Sequence, residues 1–255
     1  MNYFEMDNRN LLTYKSLEKF PEILAFTTMR QMLQGDSLPR FTGEPKEKVW
    51  ENRKLLAKEL GINPGQLVFP RQMHTSCVAE LTQIPDKEFA ETDALITHQP
   101  GICLCVQTAD CVPVLMFDPE KNVIAAVHAG WRGTVKKIAE VTVLKMKTNY
   151  NCEAENIKAV IGPSIGPGVY EVGDEVVKGV KNNVPHPEKL LHKNSSGEFH
   201  LNLWEANQQI LLSCGLLSKN IETARECTFS GKEKYFSARR DGAETSRIVS
   251  GIMLK

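Results

Sequence analysis

What the sequence lacks narrows its function before any motif is read. Charge imbalance is missing: 31 lysines and arginines meet 31 aspartates and glutamates, for a formal net charge of 0. A neutral chain has no long-range field to draw it to nucleic acid or to an anionic membrane surface, so neither partner is expected. No apolar run approaches the roughly 18 residues that read as a membrane span, and Met1–Asn10 is polar and mixed in charge, unlike a signal peptide. Histidine is scarce, with six in 255 residues. Seven cysteines, an odd number without a compact framework, fit free thiols or metal ligands in a reducing compartment. Repeats, low-complexity tracts and linkers are absent. What remains is a cytoplasmic globular protein, 42% hydrophobic, read as a single domain over 1–255.

What is present centres on Cys103–Gly133. Ile102–Gln107, Val112–Phe117 and Val123–Val127 are strand-length runs of Val, Ile, Leu and Cys bounded by turn residues, the pattern of strands buried on both faces. Polar residues fall only at the breaks: Thr108, Asp110 and Cys111 at one, His128, Trp131 and Arg132 at the next. A rigid sheet releasing its chain into loops is where chemistry is sought.

Around this block the reading is of one α/β domain with a mixed sheet. Residues 1–20 read as a polar lead-in, Ile23–Thr28 as a strand, and Gln31–Gly43 as a loop. Pro45 opens an amphipathic helix through Val49, Leu56 and Leu60 that Gly61 stops. Leu67–Phe69, Cys77–Leu81, Asp93–Thr97 and Ile157–Ile161 read as short strands. Over Gly133–Thr148 the stripe Val135, Ile138, Ala139, Thr142 and Met146 predicts a helix laid on the sheet. Gly173–Lys181 reads as helical, Leu190–Leu203 as a hairpin around Asn194–Gly197, and Trp204–Cys214 as a helix ended by Gly215. Thr223–Thr228 and Ser246–Leu254 read as closing strands.

His74, Cys111 and His128 each fall at a strand-to-loop junction by this reading. Two imidazoles and a thiolate are the nitrogen and sulfur ligands zinc takes, and three protein ligands leave a fourth position open, as catalytic sites do. Their spacings, 37 and then 17 residues, are not those of a finger or ribbon. The same atoms also suit a Cys111 nucleophile with a histidine base, or plain packing residues. Cys103, Cys105, Cys152, Cys214 and Cys227 lie in apolar or helical patterns and read as packing.

In Ala129-Gly-Trp-Arg-Gly133, two glycines flank Arg132 before a helix, so backbone N–H groups and a guanidinium can face phosphate or carboxylate; a tight strand-to-helix turn is the alternative. Gly162–Gly168 is a second Gly/Pro loop, with the Ser164 hydroxyl in it. Tyr170 stacks, hydrogen-bonds or packs in a core. Ser237-Ala-Arg-Arg-Asp-Gly242 sets two guanidiniums, Arg239 among them, beside a carboxylate, as a site or as a structural ion pair.

Taken together, Gln72-x-His74, Thr92-Asp-Ala94, Thr108-Ala-Asp-Cys-Val-Pro-Val114, His128-Ala-Gly-Trp-Arg-Gly133, Gly162-Pro-Ser-Ile-Gly166, Tyr170-Glu-Val172 and Arg239-Arg-Asp-Gly242 resemble the YfiH-type laccase-domain family, polyphenol oxidase-like in its first label and described as purine nucleoside phosphorylases. The resemblance runs in order over about residues 45–255, leaving 1–44 as a divergent N-terminal part. It implies a four-layer α/β/β/α sandwich with mixed sheets, the fold of YfiH-like and CNF-like cysteine hydrolases. It implies a zinc ion on His74, Cys111 and His128, with Cu²⁺ a possible substitute by affinity alone. It implies phosphorolysis of adenosine, inosine, guanosine or methylthioadenosine to base and (thio)ribose 1-phosphate, with adenosine deamination as a second activity.

On that basis Asp93 and Asp110 are expected to orient base or water. Phosphate is placed near Arg132 and a helix start at Gly133, with Arg239 or Arg30 assisting, and Gln72, Ser164 and Tyr170 complete the expected substrate-binding set. Three departures stand out: residues 31–41 differ from the family's Gly-Gly-Val-Ser-like loop after Thr28-Met-Arg30, Ser164 replaces a common cysteine, and Thr245-Ser-Arg247 replaces Thr-Gly-Arg. Other readings remain open. One is a cysteine hydrolase using Cys111, for example on peptidoglycan precursors. Another is a copper polyphenol oxidase, for which a multicopper site needs far more than six histidines. A third is an inactive nucleoside-sensing module. A monomer or a homodimer is expected.

Overall fold

The apolar runs are continuous because their strands are covered on both faces, and residues along each strand alternate between two cores. In the computed structural model, which describes residues 10–33, 40–43 and 45–255, strand Val112–Asp118 sends Val112, Val114 and Met116 into one apolar cluster and Leu115 and Phe117 into another. Strand Val123–Ala129 divides in the same way, Val123, Ala125 and Val127 against Ile124 and Ala126. Strict alternation of two buried sets is the side-chain period of a strand, with apolar residues required at every position.

These strands belong to a six-stranded mixed sheet ordered Ile221–Thr223, Lys158–Ile161, Val112–Asp118, Val123–Ala129, Ala94–Thr97, Val78–Leu81; its first and last pairs are parallel and the rest antiparallel. A five-stranded sheet runs Leu11–Leu12, Ile23–Thr28, Ile248–Leu254, Cys103–Thr108, Leu67–Val68. Leu104, Val106, Ile252 and Leu254 of this sheet share a cluster with Leu95, Leu115, Phe117, Ile124 and Val160 of the other. The remaining faces carry helices. Ile138, Ala139, Val143 and Met146 of helix Ile138–Tyr150 and Ile210 and Leu211 of helix Leu203–Ser213 pack on the larger sheet. Leu56 and Ala57 of helix Lys46–Leu60 pack with Phe26, Cys103 and Cys105 of the smaller one. A three-stranded sheet contains the expected hairpin, Leu191–Lys193 paired with Phe199–Leu201.

Five sequence expectations change. Residues 10–20 are not a bare lead-in: Leu11–Leu12 pairs with Thr27–Thr28, and Tyr14 and Leu17 are buried around a short helix, Lys15–Glu18. The expected loop from Gln31 begins as a 3₁₀ turn, Arg30–Leu33, and residues 34–39 of it lie outside the described residues. The helix expected over Gly133–Thr148 is two, Trp131–Val135 and Ile138–Tyr150, because Lys137 turns left-handed (φ 57°) between them. Gly133 is therefore the third residue of the first helix, not a helix start. Finally, Thr223–Thr228 is a strand only at Ile221–Thr223, with one isolated bridge, Ser164 to Cys227. Pro45 stands one place earlier than read, as the cap before Lys46–Leu60, which ends at left-handed Gly61 (φ 66°).

Candidate metal centre and its arginine flank

Val112 pairs with Ala129, so the residues where the chain enters one strand and leaves the other, Cys111 and Gly130, stay side by side. His128 is not at a break: its strand runs two residues past the apolar run, and His128 sits opposite Pro113 within it. A polar residue is tolerated there because Asp93, just before the neighbouring strand Ala94–Thr97, partners it. His128 Nδ1 lies 2.7 Å from the fully buried Asp93 carboxylate. That contact makes Nδ1 the protonated nitrogen and leaves Nε2 as the metal-binding one.

Asp93 also builds the third corner. Its carboxylate accepts N–H bonds from Met73 (3.1 Å), His74 (3.0 Å) and Thr75 (2.7 Å) and a hydroxyl bond from Thr75 (2.8 Å). The loop is thereby wrapped around one anion, with His74 in a left-handed conformation (φ 58°). The result is convergence: one donor atom each from His74, Cys111 and His128 lies within 4.8 Å of the others, and Cys111 Sγ is 3.6 Å from His74 Nε2. The two imidazole rings meet edge to face at 4.8 Å.

Electrostatics follow from this packing. Burial opposes ionisation of Cys111, but His128 and His74 outweigh it and bring the thiol down to about 6. Burial likewise opposes the charge on His128, while Cys111 and Asp93 raise it to about 9. Asp93 is desolvated too, yet its bonds to His128 and Thr75 hold it well below the usual carboxylate range. Gly130 completes the centre by its size. A Cβ there would stand 2.8 Å from both Cys111 Sγ and His74 Cδ2, although its φ of −63° is open to any residue. Two imidazoles, a thiolate-prone cysteine and a backbone kept clear of them fit a metal ion.

Asp110 (φ 87°) precedes Cys111 and is buried. Its Oδ1 accepts from Thr228 Oγ1 (2.6 Å), and its Oδ2 from Ser237 Oγ (3.0 Å) and the Arg239 N–H (2.7 Å). Arg239 is exposed, its guanidinium 5.3 Å from the Tyr170 ring centre and donating to the Glu171 carbonyl at 3.0 Å. Burial, with the charges of Cys111 and Asp110 adding, pushes Tyr170 up to about 12, against the pull of Arg239 and Arg132. Tyr170 and the two arginines therefore stand on the Cys111 side of the molecule. Arg132 lies over Trp131 at 4.3 Å and reaches Glu175 only at 3.7 Å.

The other expected site residues have the following partners. Gln72 exchanges two bonds with the Gln107 backbone, both 2.8 Å. Ser164 is buried and accepts from Trp204 Nε1 at 2.7 Å. Gly133 is buried against the His128 carbonyl and Ile138. Arg30 rests over Phe236 at 4.9 Å and donates to the Lys232 carbonyl. Arg240, not Arg239, forms the Arg–Asp pair, at 2.7 Å to Asp241. Of the hydroxyl donors to Asp110, Thr228 carries no sequence signal, and Ser237 was marked only as the start of the Arg-Arg-Asp stretch. All seven cysteines are unpaired, and no helix among the described residues is long and apolar enough to cross a membrane.

The mixed α/β fold thus carries a His–Cys–His group of the kind that can hold a metal ion. Residues 33–255 match the family described as multi-copper polyphenol oxidoreductase laccase, and the chain belongs to that family. It is 38% identical over 262 residues to a purine nucleoside phosphorylase of Bacteroides thetaiotaomicron, covering 97% of each. It is 35% identical to adenosine deaminase RL5 of an unknown prokaryotic organism, covering 91% of this chain and 94% of that one. The crystal structure of Bacillus licheniformis hypothetical protein YfiH superposes with a TM-score of 0.88 at 31% identity, covering 100% of both chains.

Proposed function

We propose that the protein is a zinc-dependent purine nucleoside phosphorylase that cleaves adenosine, inosine, guanosine and methylthioadenosine with phosphate, and that deaminates adenosine as a second activity. The observation that carries this reading is the convergence of His74, Cys111 and His128 within 4.8 Å on a chain whose relatives bear the names of both activities. His74, Cys111 and His128 would hold the zinc, which would supply Lewis acidity when bound.

The chain's own residues do the rest. Asp93 fixes the His128 tautomer and the His74 loop. Arg132 and Arg239 offer guanidinium donors that hold phosphate against the ribose C1′, where its oxygen forms the new bond as the glycosidic C–N bond breaks and the purine leaves, taking a proton from solvent. Tyr170, with Arg239 over its face, is a wall for the nucleoside.

A second reading has one observation behind it. A thiol brought down to about 6, with Sγ 3.6 Å from an imidazole nitrogen, is also the arrangement of a cysteine nucleophile and its base. A copper phenol oxidase lacks comparable support, since His74, Cys111 and His128 form the one candidate metal-binding group among the described residues. Release of free base from adenosine and inosine, with and without inorganic phosphate, tests the proposal. Phosphate-dependent release supports it; turnover of amides or esters that iodoacetamide stops and chelators spare would replace it with the hydrolase.

A further inference from the structure

We propose that Asp110 is a positioning residue, not a proton donor or acceptor. It latches the turn bearing Cys111 to the turn bearing Arg239 and so sets where the Arg239 guanidinium waits for an oxyanion. That the oxyanion is phosphate rests on the phosphorylase reading; the latch itself does not.

Both Asp110 oxygens are taken by donors from the C-terminal part of the chain: Thr228 Oγ1, Ser237 Oγ and the Arg239 N–H, at 2.6, 3.0 and 2.7 Å. Its carbonyl accepts from Ile165 N at 3.0 Å, which ties in the Gly162–Gly168 loop as well. A φ of 87° is uncommon outside glycine, and such a conformation persists where surrounding bonds over-determine it. Those bonds are these four. With both oxygens so occupied, the carboxylate serves geometry.

The receiving turn is rigid for its own reasons. Ser237 caps the short helix Ala238–Asp241 by accepting from Arg240 N, at 3.2 Å. Arg240 braces the turn through the carbonyls of Thr228, Phe229 and Tyr235. The Arg239 side chain leaves this frame exposed. It is pinned at its base by Asp110 and at its tip by the Glu171 carbonyl and the Tyr170 ring. A guanidinium carries five donors, so one bond to a carbonyl leaves it free to take an anion in two-pronged fashion.

The test is steady-state kinetics on the metal-loaded protein, with metal content measured on each sample. Asp110→Asn sets an amide N–H₂ against one of its donors and loosens the Arg239 turn. The expected result is a KM for phosphate raised about tenfold, the scale of one charge-assisted hydrogen bond, with zinc content, nucleoside KM and the pH profile of kcat unchanged. In an Arg239→Ala background the same change adds nothing further to the phosphate KM. A lowered kcat with a displaced pH profile and an unaltered phosphate KM would overturn the proposal and make Asp110 an acid or base; full additivity with Arg239→Ala would also overturn it.

Should Asp110→Asn fail to fold, Ser237→Ala and Thr228→Val each remove one donor and are expected to raise the phosphate KM by a smaller factor; no change in either overturns the latch. If the wild-type protein shows no phosphorolysis, the phosphorylase reading fails and the latch is judged by phenylglyoxal labelling of Arg239, followed by mass spectrometry. Faster labelling in Ser237→Ala than in wild type supports it, and equal labelling overturns it.

Discussion

His128 and Arg132 are near neighbours in the sequence, yet the structure treats them differently. His128 is 3% exposed and held at 2.7 Å on a carboxylate that is itself 0% exposed, whereas the Arg132 side chain is 51% exposed and meets Glu175 at 3.7 Å. The ligand end of the site is preorganised, with every donor atom oriented by a hydrogen bond or by Gly130. Arg132 is held by stacking on Trp131 and a surface contact to Glu175. A metal demands fixed donors before it arrives, while an anion that must bind and leave is served by long side chains that settle on it.

The comparison is broken most completely by removing a ligand. His74→Ala and Cys111→Ala are each expected to lose both metal and activity while keeping the fold, checked by metal analysis and circular dichroism on the same sample. Asp93→Asn should weaken metal affinity by roughly 10- to 100-fold, the usual consequence of losing an outer-shell partner, as read by competition with a chromogenic chelator. Gly130→Ala should weaken it on a comparable scale without lowering Tm, because its backbone accepts alanine and the new Cβ presses only on Cys111 and His74; a large fall in Tm would show that Gly130 serves folding instead.

In chelator-treated protein the thiolate is the reactive form of Cys111. Its alkylation rate should therefore rise as pH passes about 6 and level off above that. A midpoint near that of an ordinary thiol would mean the imidazoles do not act on it. Smallest of all should be Glu175→Gln on the arginine side. An exposed pair at 3.7 Å contributes little, so Tm stays within error while Arg132 still binds.

The three central strands were legible because burial on both faces makes their runs almost wholly apolar. The same rule concealed His128, since a polar residue inside a strand reads as its end when its partner, Asp93, lies 35 residues away. The break at Lys137 was hidden because the apolar stripe continues across it. Leu11, Tyr14 and Leu17 are buried singly among polar neighbours and make no periodic signal. The grouping of His74, Cys111 and His128 was suggested by residue type and sharpened by the family resemblance. The distant donors that Asp93 and Asp110 collect left no mark in the sequence. A carboxylate that collects backbone and hydroxyl donors from distant segments looks in sequence like one that faces a ligand.

The central claim is tested most directly by the metal content of protein purified without chelators, wild type beside Cys111→Ala. About one equivalent of zinc in the wild type, the stoichiometry of a three-ligand site, and none in the variant is the predicted result. Metal-free wild-type protein whose activity survives chelators and ends on alkylation of Cys111 would contradict the account.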